Sequence, residues 1–268
     1  MARLDQELVS RGLARSRTHA AKLIADGKVS SGGTVLLKAS LQCGEGTALE
    51  VQAHAEDAYV SRAGHKLAGA LDAFPDVLAR GKRCLDAGAS TGGFTDVLLK
   101  RGAAQVVAVD VGHGQLVPVL REDPRVVVHE GLNVRYMDPA QIGGEAALTV
   151  ADLSFISLTL VLEPLTACTE PGGDLLLMVK PQFEVGRERL SRTGVVSSAE
   201  ERRRAVAGVA RAAVDAGLDL CGLAESPLPG QDGNVEYFLW MKRRMSPLLP
   251  KIEERDGHVD ALLAKIWT

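Results

Sequence analysis

Four ionisable residues, widely separated along the chain, stand among strongly apolar neighbours. Asp152, Lys180 and Glu236 each lie at or near the end of a predicted strand, and Lys66 lies in the early turns of a predicted helix. An isolated buried charge is costly, but two ammoniums and two carboxylates that meet at one site offset one another. A lysine whose charged form is disfavoured by a second ammonium and by partial desolvation can take a proton from a hydroxyl group. The set therefore predicts proton-transfer chemistry, with a surface ion pair as the alternative for each residue taken singly.

A glycine-rich turn is the second candidate site. Residues 83–94 read Arg-Cys-Leu-Asp-Ala-Gly-Ala-Ser-Thr-Gly-Gly-Phe, which predicts the end of a strand, a turn of small residues and the start of a helix. Such a turn lets a ligand lie close to backbone N–H groups at the carboxyl edge of a sheet. The next predicted strand ends in Asp110, where an acid holds the hydroxyls of a nucleoside ribose. An ordinary tight βα turn is the alternative.

Both NAD and S-adenosylmethionine carry a nucleoside of this kind. The turn lacks the strict GxGxxG pattern that fits a pyrophosphate, and no lysine follows its glycines. It begins with an acid, and the adenosyl amino acid has no phosphate to bind, so the sequence favours S-adenosylmethionine. We predict that Ser90, Thr91 and Phe94 contact its methionine end. Asn133 is predicted near the adenine, with a plain turn asparagine as the alternative. Phe155 is predicted to wall the pocket, with a core residue as the alternative. The full predicted set is Asp86, Gly88, Ser90, Thr91, Gly92, Gly93, Phe94, Asp110, Asn133, Asp152 and Phe155.

Composition limits the classes that fit this chain. It has 268 residues, of which 46% are hydrophobic and only 4% aromatic, so the core must consist mostly of alanine, valine and leucine. The four cysteines are scattered without a CxxC pair or a nearby histidine cluster, which argues against disulfides and a metal site and favours buried thiols in a reducing cytoplasm. No uncharged apolar stretch approaches the roughly 18 residues of a membrane helix. We therefore expect a cytoplasmic protein with no metal and no membrane partner.

Strands and helices alternate from residue 61 onward. Strands are predicted near 83–86, 105–110, 125–128, 147–151, 174–179, 218–223 and 235–241. Helices are predicted at 62–74 and near 93–101, 114–121, 139–142, 157–168 and 198–215. The candidate N-caps are Ser16, Ser61 and, for the last of these helices, Ser197 or Ser198. This order predicts an α/β fold with a doubly wound, Rossmann-like sheet. The turn at 227–234 predicts that the last two strands form an antiparallel pair, as in class I methyltransferases.

The first forty residues are basic, although the whole chain has a formal charge of −3: they hold seven lysines and arginines against three acids. Two short helices, 4–12 and 18–25, precede strand-and-turn patterns around 27–35 and 48–51. This segment contains the motifs Leu-Asp-Gln-Glu-Leu-Val and Ser-Arg-Thr-His-Ala-Ala-Lys-Leu-Ile, and it resembles the S4 RNA-binding domain. The resemblance implies a small α+β domain over 1–56, a linker at 57–60 and a second domain over 61–268. Clustered cations bind RNA phosphates, and the residues that fit are Arg3, Arg11, Arg15, Arg17, Lys22 and Lys28; a solvated basic face is the alternative.

The order Lys66, Asp152, Lys180, Glu236 resembles the Lys-Asp-Lys-Glu signature of FtsJ-type ribose 2′-O-methyltransferases. The chain also has the S4-like N-terminal domain and the motifs Ala-Asp-Leu-Ser-Phe-Ile-Ser and Lys-Pro-Gln-Phe-Glu. Taken together, nearly the whole chain resembles the TlyA family. The resemblance implies transfer of a methyl group from S-adenosylmethionine to a cytidine 2′-hydroxyl in 16S and also 23S ribosomal RNA. It also implies ribosomal subunits as partners and an effect on sensitivity to capreomycin-type antibiotics. In this interpretation Lys180 is the base, and Asp152 and Glu236 orient the two amines.

Three other functions remain open from the sequence. One is a pore-forming haemolysin, a name carried by this family, although no membrane segment is predicted. Another is a nicotinamide-dependent oxidoreductase, which shares the sheet topology but needs neither the four charged residues nor an RNA-binding head. The last is a non-catalytic RNA-binding assembly factor, for which the four charged residues would have no use.

Overall fold

The computed structural model describes residues 2–14, 16–44, 46–52, 58–186, 188, 190–246 and 252–267. The chain divides into two compact units, Met1–Val60 and Ser61–Thr268. Two predictions fall outside the described residues: the role of Arg15 in RNA binding, and Asp57 as the start of a linker.

The first unit is a small α+β assembly. Its elements are β1 (Ala2–Arg3), α1 (Leu4–Ser10), α2 (Arg17–Ala25), β2 (Val29–Ser31), β3 (Thr34–Val35), β4 (Gln42–Cys43) and β5 (Glu50–Val51). Strands β3, β2 and β5 form one antiparallel sheet, and β1 pairs with β4. The predicted cap Ser16 is confirmed, because its side chain accepts a hydrogen bond from the backbone N–H of His19. Apolar residues of both helices, including Leu4, Leu8 and Leu23, form the core.

The second unit is a three-layer α/β structure. Its helices are α3 (Arg62–Ala73), α4 (Gly93–Lys100), α5 (Pro118–Arg121), α6 (Leu162–Ala167), α7 (Pro181–Glu184), α8 (Ala199–Asp215) and α9 (Ile252–Leu263). Its strands are β6 (Arg83–Ala87), β7 (Gln105–Asp110), β8 (Val126–Glu130), β9 (Ala146–Ala151), β10 (Thr169–Val179), β11 (Leu218–Glu225) and β12 (Tyr237–Arg243).

These seven strands form one sheet in the order β11-β12-β10-β9-β6-β7-β8. The five strands from β10 to β8 are parallel neighbours, and β12 lies antiparallel between β10 and β11. The predicted doubly wound α/β sheet and its antiparallel final pair are therefore confirmed. Since parallel strands all point the same way, the residues that follow β6, β7, β9 and β10 meet at one edge. The start of β12 reaches the same edge because that strand runs in the opposite direction.

Several predicted elements differ from the structure. The helix predicted at 139–142 is wrong: these residues form turns that end in Gly143 and Gly144, both with positive φ. The helix predicted at 114–121 is reduced to α5, because Gly114 has a φ of 65° and the helix begins only at Pro118. The segment predicted as one helix at 157–168 is a 3-10 turn, Leu158–Leu160, followed by α6. Helix α9 was not predicted.

The two long helices α8 and α3 both begin at a predicted cap. Of the two candidates for α8, Ser198 is the N-cap, because its side chain accepts a hydrogen bond from the backbone N–H of Glu201. Ser61 occupies the N-cap position of α3 as predicted, although its side chain makes no capping hydrogen bond. Its hydroxyl is instead buried without a hydrogen-bond partner among the described residues.

We predict that Gly222→Ala destabilises the second unit. A Cβ atom at position 222 would lie 2.5 Å from Cε1 of Phe74, whose ring packs against Trp240 at 5.5 Å. Overpacking of this kind costs about 1–3 kcal/mol. Gly208→Ala is the matched control, since position 208 is an exposed site within α8 with open space around it. Replacing a helical glycine by alanine raises the free energy of unfolding by roughly 0.5–1 kcal/mol. Urea unfolding of both variants measures the two opposite changes, and equal free energies of unfolding would contradict the prediction.

Candidate active site

Three cavities lie side by side at the carboxyl edge of the sheet. The first, of about 490 Å³, is lined by residues that include Gly88, Asp110 and Asn133. The second, of about 700 Å³, is lined by residues that include Lys66, Lys180 and Glu236. A third, of about 160 Å³, lies against the glycine-rich turn. Ser154 lines all three cavities, so the loop that follows β9 is their common wall.

The first cavity has the chemistry of a nucleoside site. The carboxylate of Asp110, at the tip of β7, accepts hydrogen bonds from the backbone N–H groups of Ser90 at 2.8 Å and Gly112 at 2.7 Å. Each carboxylate oxygen has a further lone pair, which can accept a ribose hydroxyl. Apolar side chains such as Leu132 and Ile156 supply walls on which an adenine ring can pack.

Gly88 is required by close packing at this turn. Its φ is 86°, and a Cβ atom would lie 2.8 Å from the carbonyl oxygen of Asp152. A ligand in the first cavity can therefore approach the backbone of the turn, since no side chain stands between them. The predicted S-adenosylmethionine fits this arrangement of a glycine cradle, a ribose-binding acid and an apolar wall.

Two non-glycine residues at this edge adopt the left-handed backbone region: Ser90, with φ of 46°, and Phe155, with φ of 63°. Such conformations are strained, and they persist where surrounding contacts determine them. The Phe155 side chain is 92% exposed, and its ring lies 5.3 Å from that of Phe183. Phe155 lines both large cavities, so it forms the partition between them.

The four predicted charged residues form two close ion pairs. Lys66 Nζ lies 2.5 Å from Glu236 Oε2, and both residues are buried, with 8% and 2% exposure. Lys180 Nζ lies 2.7 Å from Asp152 Oδ1. The structure therefore places each amine beside one carboxylate at the same edge of the sheet, which compensates charges that would be costly to bury alone.

The two pairs differ in hydrogen-bond geometry. Lys66 donates a hydrogen bond to Glu236, whereas Asp152 Oδ1 is buried and has no aligned donor despite its short distance to Lys180. Lys180 donates instead to the Ser154 hydroxyl, at 3.0 Å. Asp152 therefore attracts the ammonium by charge, while Ser154 sets the direction of one of its N–H bonds.

Not every residue predicted at the cofactor site lines a cavity. Thr91, Gly93 and Phe94 line the smallest cavity, but Asp86 and Gly92 line none of the three. Asp86 is fully buried and accepts a hydrogen bond from the Thr95 hydroxyl at 2.6 Å. Burial raises the pKa of Asp86 to about 7, although the Thr95 hydroxyl favours its ionised form. Direct contact of Asp86 with a cofactor remains a prediction.

Sequence reasoning missed Ser154 and Glu184. Glu184 accepts hydrogen bonds from the Ser157 hydroxyl at 2.5 Å and from the backbone N–H of Leu158 at 2.8 Å. It thereby fastens α7, which follows Lys180, to the loop that carries Asp152 and Phe155. Ser154 and Glu184 both lie in sequence motifs that resemble the family. Those motifs do not show which side chains contact each other in the fold.

The predicted RNA-binding residues of the first unit have different surroundings. Arg3 and Arg17 both contact the carboxylate of Asp5 at 2.9 Å, and the Arg3 hydrogen bond is the main cause that lowers the pKa of Asp5 to about 2. Arg11 contacts Glu7 and donates to the backbone carbonyl groups of Gly44 and Thr47.

The two lysines of this predicted set differ from each other. Lys28 Nζ lies 3.9 Å from the carboxylate of Asp26. Lys22 is exposed and has no partner among the residues that the structure describes. Of the described members of the set, Lys22 is therefore the cation most available to an RNA phosphate.

Two features are absent from the described ranges. In that part of the chain, no helix has the length and apolar character needed to cross a bilayer. Within the same residues, no three histidine, cysteine or acidic side chains are grouped as metal ligands would be.

Comparison with known proteins gives matches for both units. A family model described as FtsJ-like methyltransferase matches residues 59–243, and an S4 domain model matches residues 2–49. The 16S/23S rRNA (cytidine-2′-O)-methyltransferase TlyA of Mycobacterium tuberculosis is 55% identical over 241 residues, which cover 90% of each chain. Hemolysin A of Brachyspira hyodysenteriae is 36% identical and matches 88% of this chain and 98% of its own length.

A solved structure also matches along nearly the whole length. It is described as that of a hemolysin from Streptococcus thermophilus, with 36% identity and a TM-score of 0.70. The match covers 98% of this chain and 96% of the other.

We predict that Asp86→Asn changes stability in a pH-dependent way. Between about pH 4 and 7 the unfolded chain loses the Asp86 proton while the folded protein keeps it, so folding becomes less favourable as the pH rises. Asparagine cannot ionise, and the variant should therefore gain stability relative to the wild type over this window, by up to a few kcal/mol. Unfolding at pH 5 and pH 8 measures the difference.

Asp123→Asn is the control for this measurement. The hydrogen bond from Arg125 lowers the pKa of Asp123, so this variant should lose stability, not gain it, above about pH 4. A relative stability of Asp86→Asn that is the same at pH 5 and pH 8 would contradict the assignment of a raised pKa to Asp86.

Proposed function

Because the chain belongs to the TlyA family of FtsJ-like methyltransferases, we propose that it methylates the 2′-hydroxyl of a cytidine in ribosomal RNA, with S-adenosylmethionine as donor. The observation that carries the proposal is the pairing of Lys66 with Glu236 and Lys180 with Asp152 beside the cavity that Asp110 lines. The activity for which the Mycobacterium tuberculosis relative is named supports 16S and 23S RNA as substrates. We infer that the protein works where ribosomes are, in the cytoplasm.

In this proposal the methyl donor and the target nucleotide bind in different cavities. The first cavity holds the adenosine, with Asp110 on the ribose and Asn133 near the base, and the smallest cavity holds the methionine end. The second cavity receives the target nucleotide, since both lysines line it. Ser154 and Phe155 then lie where the ligands meet.

The reaction needs alignment and removal of one proton. S-adenosylmethionine, when bound, supplies a methyl carbon attached to a positively charged sulfur. Lys180 would take the proton of the 2′-hydroxyl as the ribose oxygen attacks that methyl carbon, and the sulfur would leave with the electron pair of the carbon–sulfur bond. Asp152 stabilises the ammonium that forms on Lys180. Lys66, held by Glu236, places a second amine in the same cavity.

The first unit supplies RNA affinity in this proposal. Its match to the S4 domain and its excess of cations support binding to structured RNA. Binding through phosphates releases counterions and weakens steeply with salt. Arg3, Arg17 and Lys22 are proposed contacts, whereas the bonds of Arg11 to backbone carbonyl groups also give it a structural role.

We predict that Lys180→Ala abolishes methyl transfer but leaves cofactor binding nearly intact. Loss of a general base costs at least about 100-fold in rate. Tritium transfer from labelled S-adenosylmethionine to ribosomal subunits of a deletion strain measures the rate, and calorimetry measures cofactor affinity. Lys82→Ala is the matched control, because Lys82 contacts Asp174 at 3.1 Å and lines none of the three cavities. Full activity of Lys180→Ala would end the proposed mechanism.

We predict that Lys22→Ala weakens RNA binding without changing kcat. The log of the affinity falls linearly with the log of the salt concentration. Loss of one phosphate contact should make this negative slope shallower by about 1. Filter binding to ribosomal subunits at several salt concentrations gives the slope, with Lys82→Ala again as the control. An unchanged slope would remove Lys22 from the RNA interface.

Mapping 2′-O-methyl groups on ribosomal RNA from a deletion strain identifies the nucleotide. The expected result is the loss of cytidine methylation in 16S RNA, 23S RNA or both, restored by the wild-type gene and not by the Lys180→Ala form. An unchanged methylation pattern would contradict the proposed function.

The hemolysin descriptions of two relatives favour cell lysis as a second candidate function. Purified Lys180→Ala protein distinguishes lysis from methyl transfer. If this inactive variant still lysed cells, lysis would be an activity independent of the methyl-transfer site. No release of haemoglobin from red cells is expected.

A further inference from the structure

Ser154 lies at the point where the three cavities meet. It follows β9 by three residues, and its hydroxyl accepts the hydrogen bond of Lys180 Nζ at 3.0 Å. Among the described residues, this is the hydrogen bond that Lys180 makes, since Asp152 Oδ1 is close but has no aligned donor. Ser154 is therefore the group that fixes the orientation of the Lys180 amine.

Orientation matters because a neutral amine is a base in one direction only. It carries two N–H bonds and one lone pair in a tetrahedral arrangement, at the end of a flexible four-carbon side chain. A proton can move only along the lone pair, so the amine must present that pair, and not an N–H bond, to the substrate hydroxyl. A carboxylate beside the nitrogen attracts one N–H bond and leaves two directions for the lone pair, so a second acceptor is needed to select between them.

The surroundings of Lys180 leave one direction for the lone pair. One N–H points to Ser154, and the Asp152 carboxylate occupies the adjacent side. The residue is otherwise buried, with 9% exposure, and its accessible part faces the second and smallest cavities. The remaining tetrahedral direction is thus the one open to a ligand.

We propose that Ser154 is a positioning residue that aims the lone pair of Lys180 into the cavity where the ribose hydroxyl binds. The proposal rests on the proposed function, because it assigns the orientation of the base in that same reaction. Ser154 need not exchange a proton with the substrate, and its hydroxyl acts as an acceptor throughout.

Ser154→Ala tests the proposal. We expect kcat to fall roughly 10- to 100-fold, because the amine then rotates among unproductive orientations. The KM for RNA and the calorimetric affinity for S-adenosylmethionine should stay within about twofold of the wild type, because neither ligand loses its binding groups. The loss should have the same size at every pH of the rate profile, because the orientation of the amine does not depend on pH. Ser154→Thr keeps the hydroxyl and should recover most of the rate.

Ser198→Ala is the matched control. It also deletes a serine hydroxyl that makes a hydrogen bond, at the N-cap of α8 and outside the three cavities. It should lower stability and leave kcat unchanged, which shows that lost stability alone does not slow the reaction.

Four results would overturn the role of Ser154. They are a wild-type kcat in Ser154→Ala, a rate that returns to the wild-type level at high pH, a large loss of cofactor affinity, and a threonine variant no faster than the alanine variant. A wild-type protein that methylates no RNA would instead overturn the proposed function. The two failures are therefore distinguished in the same set of assays.

Discussion

The site depends on pairing each of two buried amines with a carboxylate from a distant part of the chain. Lys66 and Glu236 are 170 residues apart, and their side chains are almost wholly removed from solvent. Breaking such a pair leaves an uncompensated charge, which is far costlier than the net gain from forming it. The pairs therefore constrain where α3, β9, β10 and β12 can lie, because each of these elements carries or adjoins one member.

The parallel sheet satisfies this constraint with little adjustment. Asp110, Asp152 and Lys180 stand at or just after the ends of β7, β9 and β10, and parallel pairing brings those ends to one edge. Glu236 precedes β12, and it reaches the same edge because β12 is the antiparallel strand. The reversal of one strand thus places the fourth charge. Lys66 arrives from α3, a helix that packs against α4 beside the glycine-rich turn.

The sequence predicted these strand ends well because each combines a run of apolar residues with a single charged residue. It predicted the pairs less directly, through a resemblance to a family signature. It could not predict Ser154, because a serine in a loop has no periodic pattern and its role depends on the position of Lys180. The helices predicted at 114–121 and 139–142 were lost or shortened where Gly114, Gly143 and Gly144 take positive φ, a choice that tertiary packing makes.

The loop between β9 and the 3-10 turn links the chemistry to both ligands. It carries Asp152, Ser154 and the strained Phe155, and it is held from the other side by Glu184. Strain in a loop persists only where neighbouring contacts determine its conformation. Here those contacts come from α7, the segment that directly follows Lys180, so the loop is fastened to the helix beside the base. Because Ser154 and Phe155 of this loop line both large cavities, the proposed reaction would have its donor and its base positioned by the same few residues.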